Sequence, residues 1–124
     1  MRDALRKHHI SFKNAWAGIV WALATQPNFR VHIALSLIAL GLARYFNITK
    51  PEAIVIIFTI ILGLAAEMIN TSLECMTDLI TTQWRKEAKL AKDVAAGMML
   101  LVAIGAVVVA ILIFGPYIIE MFRR

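Results

Sequence analysis

Four side chains that could do chemistry together, Glu67, Asn70, Glu74 and Asp78, recur at three- and four-residue spacing in this 124-residue chain. At about 100° of turn per residue they fall at roughly 0°, 300°, 340° and 20°, so a helix carries them on one narrow face that climbs about 16 Å. Apolar residues from Ala53 to Ala66 precede that face, which puts Glu67 and Asn70 at or below a membrane surface while Asp78 reaches toward water. An ionisable side chain at such a depth is costly and marks a functional site by default. Carboxylates one or two turns apart, with an amide between them, can divide two tasks: one takes a proton from an alcohol and another holds a divalent cation. Lys92 and Asp93, across a basic loop, could then meet phosphates, their counterion or a ribose. Phosphoryl transfer uses such parts, because its catalysis is mainly positioning and charge neutralisation. The plainer alternative is that the face glues helices together in an oligomer, but Ser or Thr would serve that purpose at lower cost.

The elements that must position this face follow from composition. A hydrophobic fraction of 60% and a mean hydropathy of +0.75 are too apolar for a soluble domain of this size. The expected fold is therefore an all-α integral membrane protein, one domain over residues 1–124, with spans at about 29–46, 53–79 and 93–121. The first span is the shortest. Ahead of them, Phe12, Ala15, Trp16, Ile19, Val20 and Leu23 recur at helical spacing over about 11–25, with Ser11 as a candidate N-cap and Pro27 as the break. Trp16 and Trp21 suit an amphipathic helix lying in the interface. Residues 1–13 are basic and polar rather than an apolar signal core, so the chain is expected to insert intact. Cys75 can form no internal disulfide and is read as a small packing residue. The net charge of +5 is spread around the spans instead of forming a patch interleaved with aromatics, which argues against nucleic acid as a partner.

Between the first two spans, Thr49 can cap the second helix and Pro51 can occupy its first turn. The second helix is expected to end near Leu79 to Thr82, followed by a basic loop from Gln83 to Lys92. The third span closes around Gly115, Pro116 and Tyr117, with Arg123 and Arg124 beyond. Arg2, Arg6, Lys7, Lys13, Arg30, Arg85, Lys86, Lys89 and Lys92 fall on one side of the membrane, and Arg44, Lys50, Arg123 and Arg124 on the other. The positive-inside rule places the larger group, the amino terminus and the polar face in the cytoplasm, and the carboxyl terminus outside. On the residues alone, Arg30 and His32 read as headgroup anchors.

Several function classes drop out. No glycine-rich stretch followed by Lys-Ser or Lys-Thr is present, so a soluble-type nucleotide fold is excluded. A small multidrug-type transporter would need four spans and a lone acid in the first, whereas here the acids cluster at the end of the second. A noncatalytic oligomeric scaffold remains, and it predicts that Glu67→Gln is silent.

Glu67-x-x-Asn70-Thr71-Ser72-x-Glu74-x-x-x-Asp78, followed by Ala91-Lys92-Asp93 and Ala95-Ala96-Gly97, resembles the signature of the small prokaryotic diacylglycerol kinase and undecaprenol kinase family. The likeness extends to Asn28-Phe29-Arg30-Val31-His32 and to Trp16 and Gly18, and so covers nearly the whole chain. It implies a homotrimer of three-span subunits, each with an amphipathic surface helix, with active sites shared between neighbours and ATP and Mg2+ as co-substrate and cofactor. By position, Glu67 matches the catalytic base, Asn70 a residue positioning the reacting groups and Glu74 a magnesium ligand. Lys92 and Asp93 match nucleotide contacts, as do Gln83, Trp84 and Arg85, whose types differ from the usual acidic, Tyr, His run. Lys7 and Asn14 occupy further nucleotide-side positions with altered chemistry. The lipid-side positions implied are Ser11, Trp16, Asn28, Phe29, Arg30, His32, Glu67 and Ala96.

One departure concerns the metal. Gln26 stands where the family usually has a second metal-binding glutamate that also faces the nucleotide, and an uncharged amide oxygen should hold magnesium more weakly. The Asn28–His32 run and the Lys92–Gly97 segment are more similar to the undecaprenol kinase branch. Undecaprenol is therefore the expected acceptor, with diacylglycerol as the alternative.

Overall fold

The computed structural model describes residues 2–123, with side chains from residue 11 onward. Four helices carry the described residues: α1 (Arg2–Thr25), α2 (Pro27–Tyr45), α3 (Lys50–Ile80) and α4 (Lys86–Arg123).

The surface helix begins well before its expected start near residue 11. α1 is continuous from Arg2, so Ser11 lies inside the helix and caps nothing. The physical reason is local: Ala4, Leu5, Arg6 and Lys7 are strong helix formers and no Gly or Pro interrupts them. The break at the other end falls where Pro27 requires it. Gln26 is extended (φ −99°, ψ 109°) and Pro27 opens α2, where its missing N–H costs nothing. Ala22 and Phe29 are buried on either side of this turn, and α1 packs on the rest of the molecule mainly through α2.

α2 ends at Tyr45, and the Ile48 N–H reaches back to the Ala43 carbonyl at 3.2 Å. Asn47 takes the left-handed conformation (φ 50°), which Asn tolerates better than most residues. α3 then starts as expected. Thr49 is the N-cap, Pro51 lies in the first turn, and the Glu52 carboxylate accepts from the Thr49 N–H at 2.8 Å and from its hydroxyl at 2.6 Å. At the other end Thr81 is extended, and the Gln83 N–H donates to its hydroxyl at 3.1 Å.

The basic loop is shorter than expected. α4 already begins at Lys86, leaving 81–85 as the connection, so most of the Gln83 to Lys92 stretch is helical. Glu87, Ala88, Lys89, Leu90 and Ala91 favour a helix, and Lys89 pairs with Asp93 one turn on. α4 also runs through Gly115 and Pro116 to Arg123. The proline deprives only the Leu112 carbonyl of a donor.

α3 and α4 form the principal pair, and α2 lies along α3 with a lighter contact to α4. Ile56, Ile113 and Phe114 make the buried core, covered by Leu42, Phe46 and Ile60. At this end Phe46 stacks on Tyr117 with ring centroids 5.7 Å apart, and the Tyr117 hydroxyl donates to Glu52 at 2.8 Å.

Elsewhere large apolar side chains such as Leu37, Phe58, Leu101 and Leu112 face outward in numbers that no water-soluble surface carries. α3 (31 residues) and α4 (38 residues) are long and apolar enough to cross a membrane, and neither is buried as the core helix of a soluble domain would be. At 1.5 Å per residue both exceed the roughly 30 Å hydrocarbon thickness and project beyond it. α2 (19 residues) contains Arg30, His32 and Arg44 and falls short of the same standard of apolarity.

Candidate functional site

Burial divides the polar face of α3. Glu67 (3% exposed), Asn70 (6%) and Thr71 are buried, whereas Glu74 and Asp78 are exposed. Glu67 and Asn70 sit where the helix is covered by α2 and α4, and the next two turns emerge from that cover.

The covering helices do not close over the face completely. A cleft of about 380 Å³ opens beside it, lined from α3 by Glu67, Asn70 and Glu74, from α2 by Asn28 and His32, and from α4 by Ala96. Six of the residues singled out in the sequence, drawn from three separate stretches, thus meet in one space. Val31, Met99, Leu100 and Ala103 complete the wall. Sequence reasoning missed those four, although a signal existed: on α4 they fall three, four and seven residues after Ala96, on the same helical face, and Val31 adjoins His32.

Within the cleft the Asn70 amide nitrogen donates to a Glu74 carboxylate oxygen at 2.9 Å. This bond fixes which end of the amide is the donor. It leaves the Asn70 Oδ1 buried with no hydrogen-bond partner, an arrangement that native proteins seldom leave without a purpose. Beyond the cleft, Lys92 on α4 donates to Asp78 on α3 at 2.6 Å and ties the two helices across the 81–85 connection. Lys92 is one turn before Ala96, which lines the cleft.

The remaining expected site residues lie apart from this space. Asp93 is exposed and pairs with Lys89. The Gln26 amide donates to the Thr25 hydroxyl at 3.3 Å, and Gln26 does not line the cleft. Ser11, Asn14 and Trp16 are exposed on α1, Arg30 is exposed on α2, and Phe29 is buried beneath the α1–α2 turn. Gln83, Trp84 and Arg85 are exposed in the α3–α4 connection. The Lys7 side chain lies outside the described residues.

Among the described residues no cluster of three or more His, Cys, Asp or Glu side chains is placed to hold a metal alone. The oxygen donors at the cleft include the carboxylates of Glu67 and Glu74 and the unpartnered Asn70 carbonyl. That set fits magnesium, a hard cation that takes one or two carboxylates and completes its shell with water and substrate phosphates.

Fold and site together define an all-helical membrane protein with an acid- and amide-lined cleft beside the C-terminal half of α3, the first of its two long apolar helices. The model of the prokaryotic diacylglycerol kinase family matches residues 13–114. A diacylglycerol kinase of Synechocystis sp. is 41% identical over 101 residues, 81% of this chain. That match spans 58% of the length of the Synechocystis protein. An undecaprenol kinase of Bacillus subtilis is 34% identical over 116 residues, covering 93% of this chain and 94% of that protein. A diacylglycerol kinase of Helicobacter pylori is 31% identical over 105 residues, 85% of this chain and 79% of its own length. The chain belongs to the prokaryotic diacylglycerol kinase family, and its curated relatives are lipid kinases.

Proposed function

We propose that this chain is an ATP- and magnesium-dependent kinase that phosphorylates the hydroxyl of a membrane lipid alcohol, with undecaprenol as the acceptor. The observation that carries the reading is Glu67: a carboxylate 3% exposed, in an apolar helix, lining an open cleft. In this scheme the acceptor oxygen attacks the γ-phosphorus, Glu67 takes the hydroxyl proton, and the bond to the bridging oxygen breaks to release ADP. Asn70 orients Glu74 through its amide nitrogen and offers its carbonyl oxygen to the reacting assembly. Glu74 and the Asn70 carbonyl oxygen would hold magnesium, which would neutralise phosphate charge, and Lys92, one turn before Ala96 on α4, meets the phosphates. Gln26, Gln83, Trp84, Arg85, Asp93, Lys7 and Asn14 belong to the nucleotide side, Gln26 also as a second metal ligand, and Ser11, Trp16, Phe29 and Arg30 to the lipid side. Apart from Lys7, these residues stand outside the cleft of a single chain, which suits an oligomer, by the family resemblance a homotrimer, whose neighbours bring them to a shared site.

The same reading makes α2 a third span. At 19 residues it measures about 28 Å, enough for the hydrocarbon layer, with Arg30 and Arg44 near its two ends. α1 then rests on the cytoplasmic surface, where the amino terminus and cleft also lie, and the carboxyl terminus is outside.

Full-length relatedness to the B. subtilis undecaprenol kinase supports undecaprenol, since 93% of this chain and 94% of that protein correspond. Diacylglycerol is the second reading, favoured by the higher identity to the Synechocystis protein, 41%. Purified protein given labelled ATP and either undecaprenol or dioleoylglycerol in mixed micelles separates them. Undecaprenol should be labelled preferentially, and Glu67→Gln should lower labelling about 10²- to 10⁴-fold, the range of a general base. A Glu67→Gln protein that labels lipid at the parental rate removes Glu67 as the base, and a parent that labels neither lipid favours the scaffold.

A further inference from the structure

We infer that His32 carries the acceptor's proton away from Glu67, a role distinct from the headgroup anchor or lipid-side contact that its sequence position suggests. The inference rests on the kinase reading above and extends it to the second half of the proton's path. Glu67 is 3% exposed, so a proton taken from a lipid hydroxyl while substrates fill the cleft has no direct way to water. A second acceptor in the cleft wall gives it one.

Among the described residues the wall offers one such group. α4 carries no titratable side chain between Ala96 and Ala103, the stretch that faces the cleft. On α3 the Glu74 carboxylate is engaged by the Asn70 amide and belongs to the proposed metal set. α2 contributes Asn28, which takes no proton, and His32, whose imidazole titrates near neutral pH and serves as a proton shuttle. Neither the His32 ring nor the Glu67 carboxylate makes a hydrogen bond to another described residue. Both remain open to proton exchange, and His32 and Glu74 are the charged groups that act electrostatically on Glu67.

Backbone geometry brings the pair together. His32 packs on α3 at Gly63, where an added Cβ would stand 3.7 Å from the imidazole Nδ1. Gly63 lies one helical turn before Glu67 on the same face. Side chains on a helix lean toward the preceding turn, so Glu67 leans over Gly63 toward the ring, and the missing side chain leaves the way between them open. The step balances. As the acceptor oxygen bonds to the γ-phosphorus and the bond to the bridging oxygen breaks, the hydroxyl proton passes to Glu67 and on to the unprotonated ring nitrogen of His32. The imidazolium gives it to water once the products leave, and both side chains return to their starting state.

Lipid phosphorylation by the full-length protein carrying His32→Ala or His32→Gln tests this. In His32→Ala, kcat should fall about tenfold or more while KM for ATP and for lipid stay at parental values, and added imidazole should restore kcat. Pyrrole, a ring of the same size without a basic nitrogen, should restore nothing. His32→Gln keeps a hydrogen-bonding side chain that cannot carry a proton. It should lose kcat alike, and it stands in should the alanine variant fail to fold. Parental kcat in either folded variant overturns the relay. A raised KM for lipid, or a loss that imidazole leaves unrepaired in folded His32→Ala, makes His32 a lipid contact or a packing residue and also overturns it. A parent that phosphorylates neither undecaprenol nor dioleoylglycerol defeats the kinase reading itself, and the relay with it.

Discussion

Asn70 donates to Glu74 one helical turn away, at 2.9 Å, and leaves its own carbonyl oxygen buried without a partner. Half of the amide is thus committed to holding a carboxylate, and the other half is available to a donor or a cation. A group kept solely for stability would not be left so, because an unsatisfied buried acceptor costs about 1–3 kcal/mol.

Replacing Asn70 with Leu should therefore separate function from stability. The orphaned acceptor disappears and a similar volume of apolar side chain takes its place, so thermal denaturation in detergent should show a midpoint equal to or above the parent's. Lipid phosphorylation should fall at least about tenfold as Glu74 loses its orienting bond. A destabilised variant with parental activity would assign Asn70 to packing.

The ion pair between Lys92 and Asp78 joins two exposed side chains, where solvent screening leaves it little to contribute to stability. Its expected effect is on the nucleotide. Asp78→Asn should raise the KM for ATP several-fold while leaving the unfolding midpoint nearly unchanged. In a double-mutant cycle with Lys92→Gln the two changes should be non-additive, because the second removes the group that the first releases. Strict additivity in KM would mean the residues act separately.

The Gln26 amide donates to the Thr25 hydroxyl, and as an amide Gln26 brings no charge to a metal. The parent should need more magnesium for half-maximal activity than Gln26→Glu does. A magnesium titration in which both proteins coincide would remove Gln26 from the metal side.

Far from the cleft, the Tyr117 hydroxyl and Glu52 fasten the opposite ends of α3 and α4 at 2.8 Å. Tyr117→Phe keeps the ring against Phe46 and removes only the hydrogen bond. It should lower stability slightly, measured by chemical denaturation in detergent, and leave kcat and KM at parental values. Loss of activity without loss of stability would connect this end to the reaction.

Helical spacing made the shared face of Glu67, Asn70, Glu74 and Asp78 legible from the sequence, since any helix through these residues aligns them. Composition likewise established a membrane-embedded helical chain, and Thr49, Pro51 and Pro27 located the breaks because caps and proline act within a few residues of themselves. Two boundaries were not legible. The starts of α1 and α4 both lie earlier than polar, basic composition suggests, because Lys, Arg and Ala extend a helix into water as readily as apolar residues extend it through lipid.

Only the tertiary structure decided which members of the polar face are buried, which residues of α2 and α4 stand opposite them, and that Lys92 pairs with Asp78. Periodicity gives the angle of a side chain around its own axis. It carries no record of how far a neighbouring helix is rotated or slid, and that rotation is set by packing summed over contacts between α2, α3 and α4 that are distant in sequence.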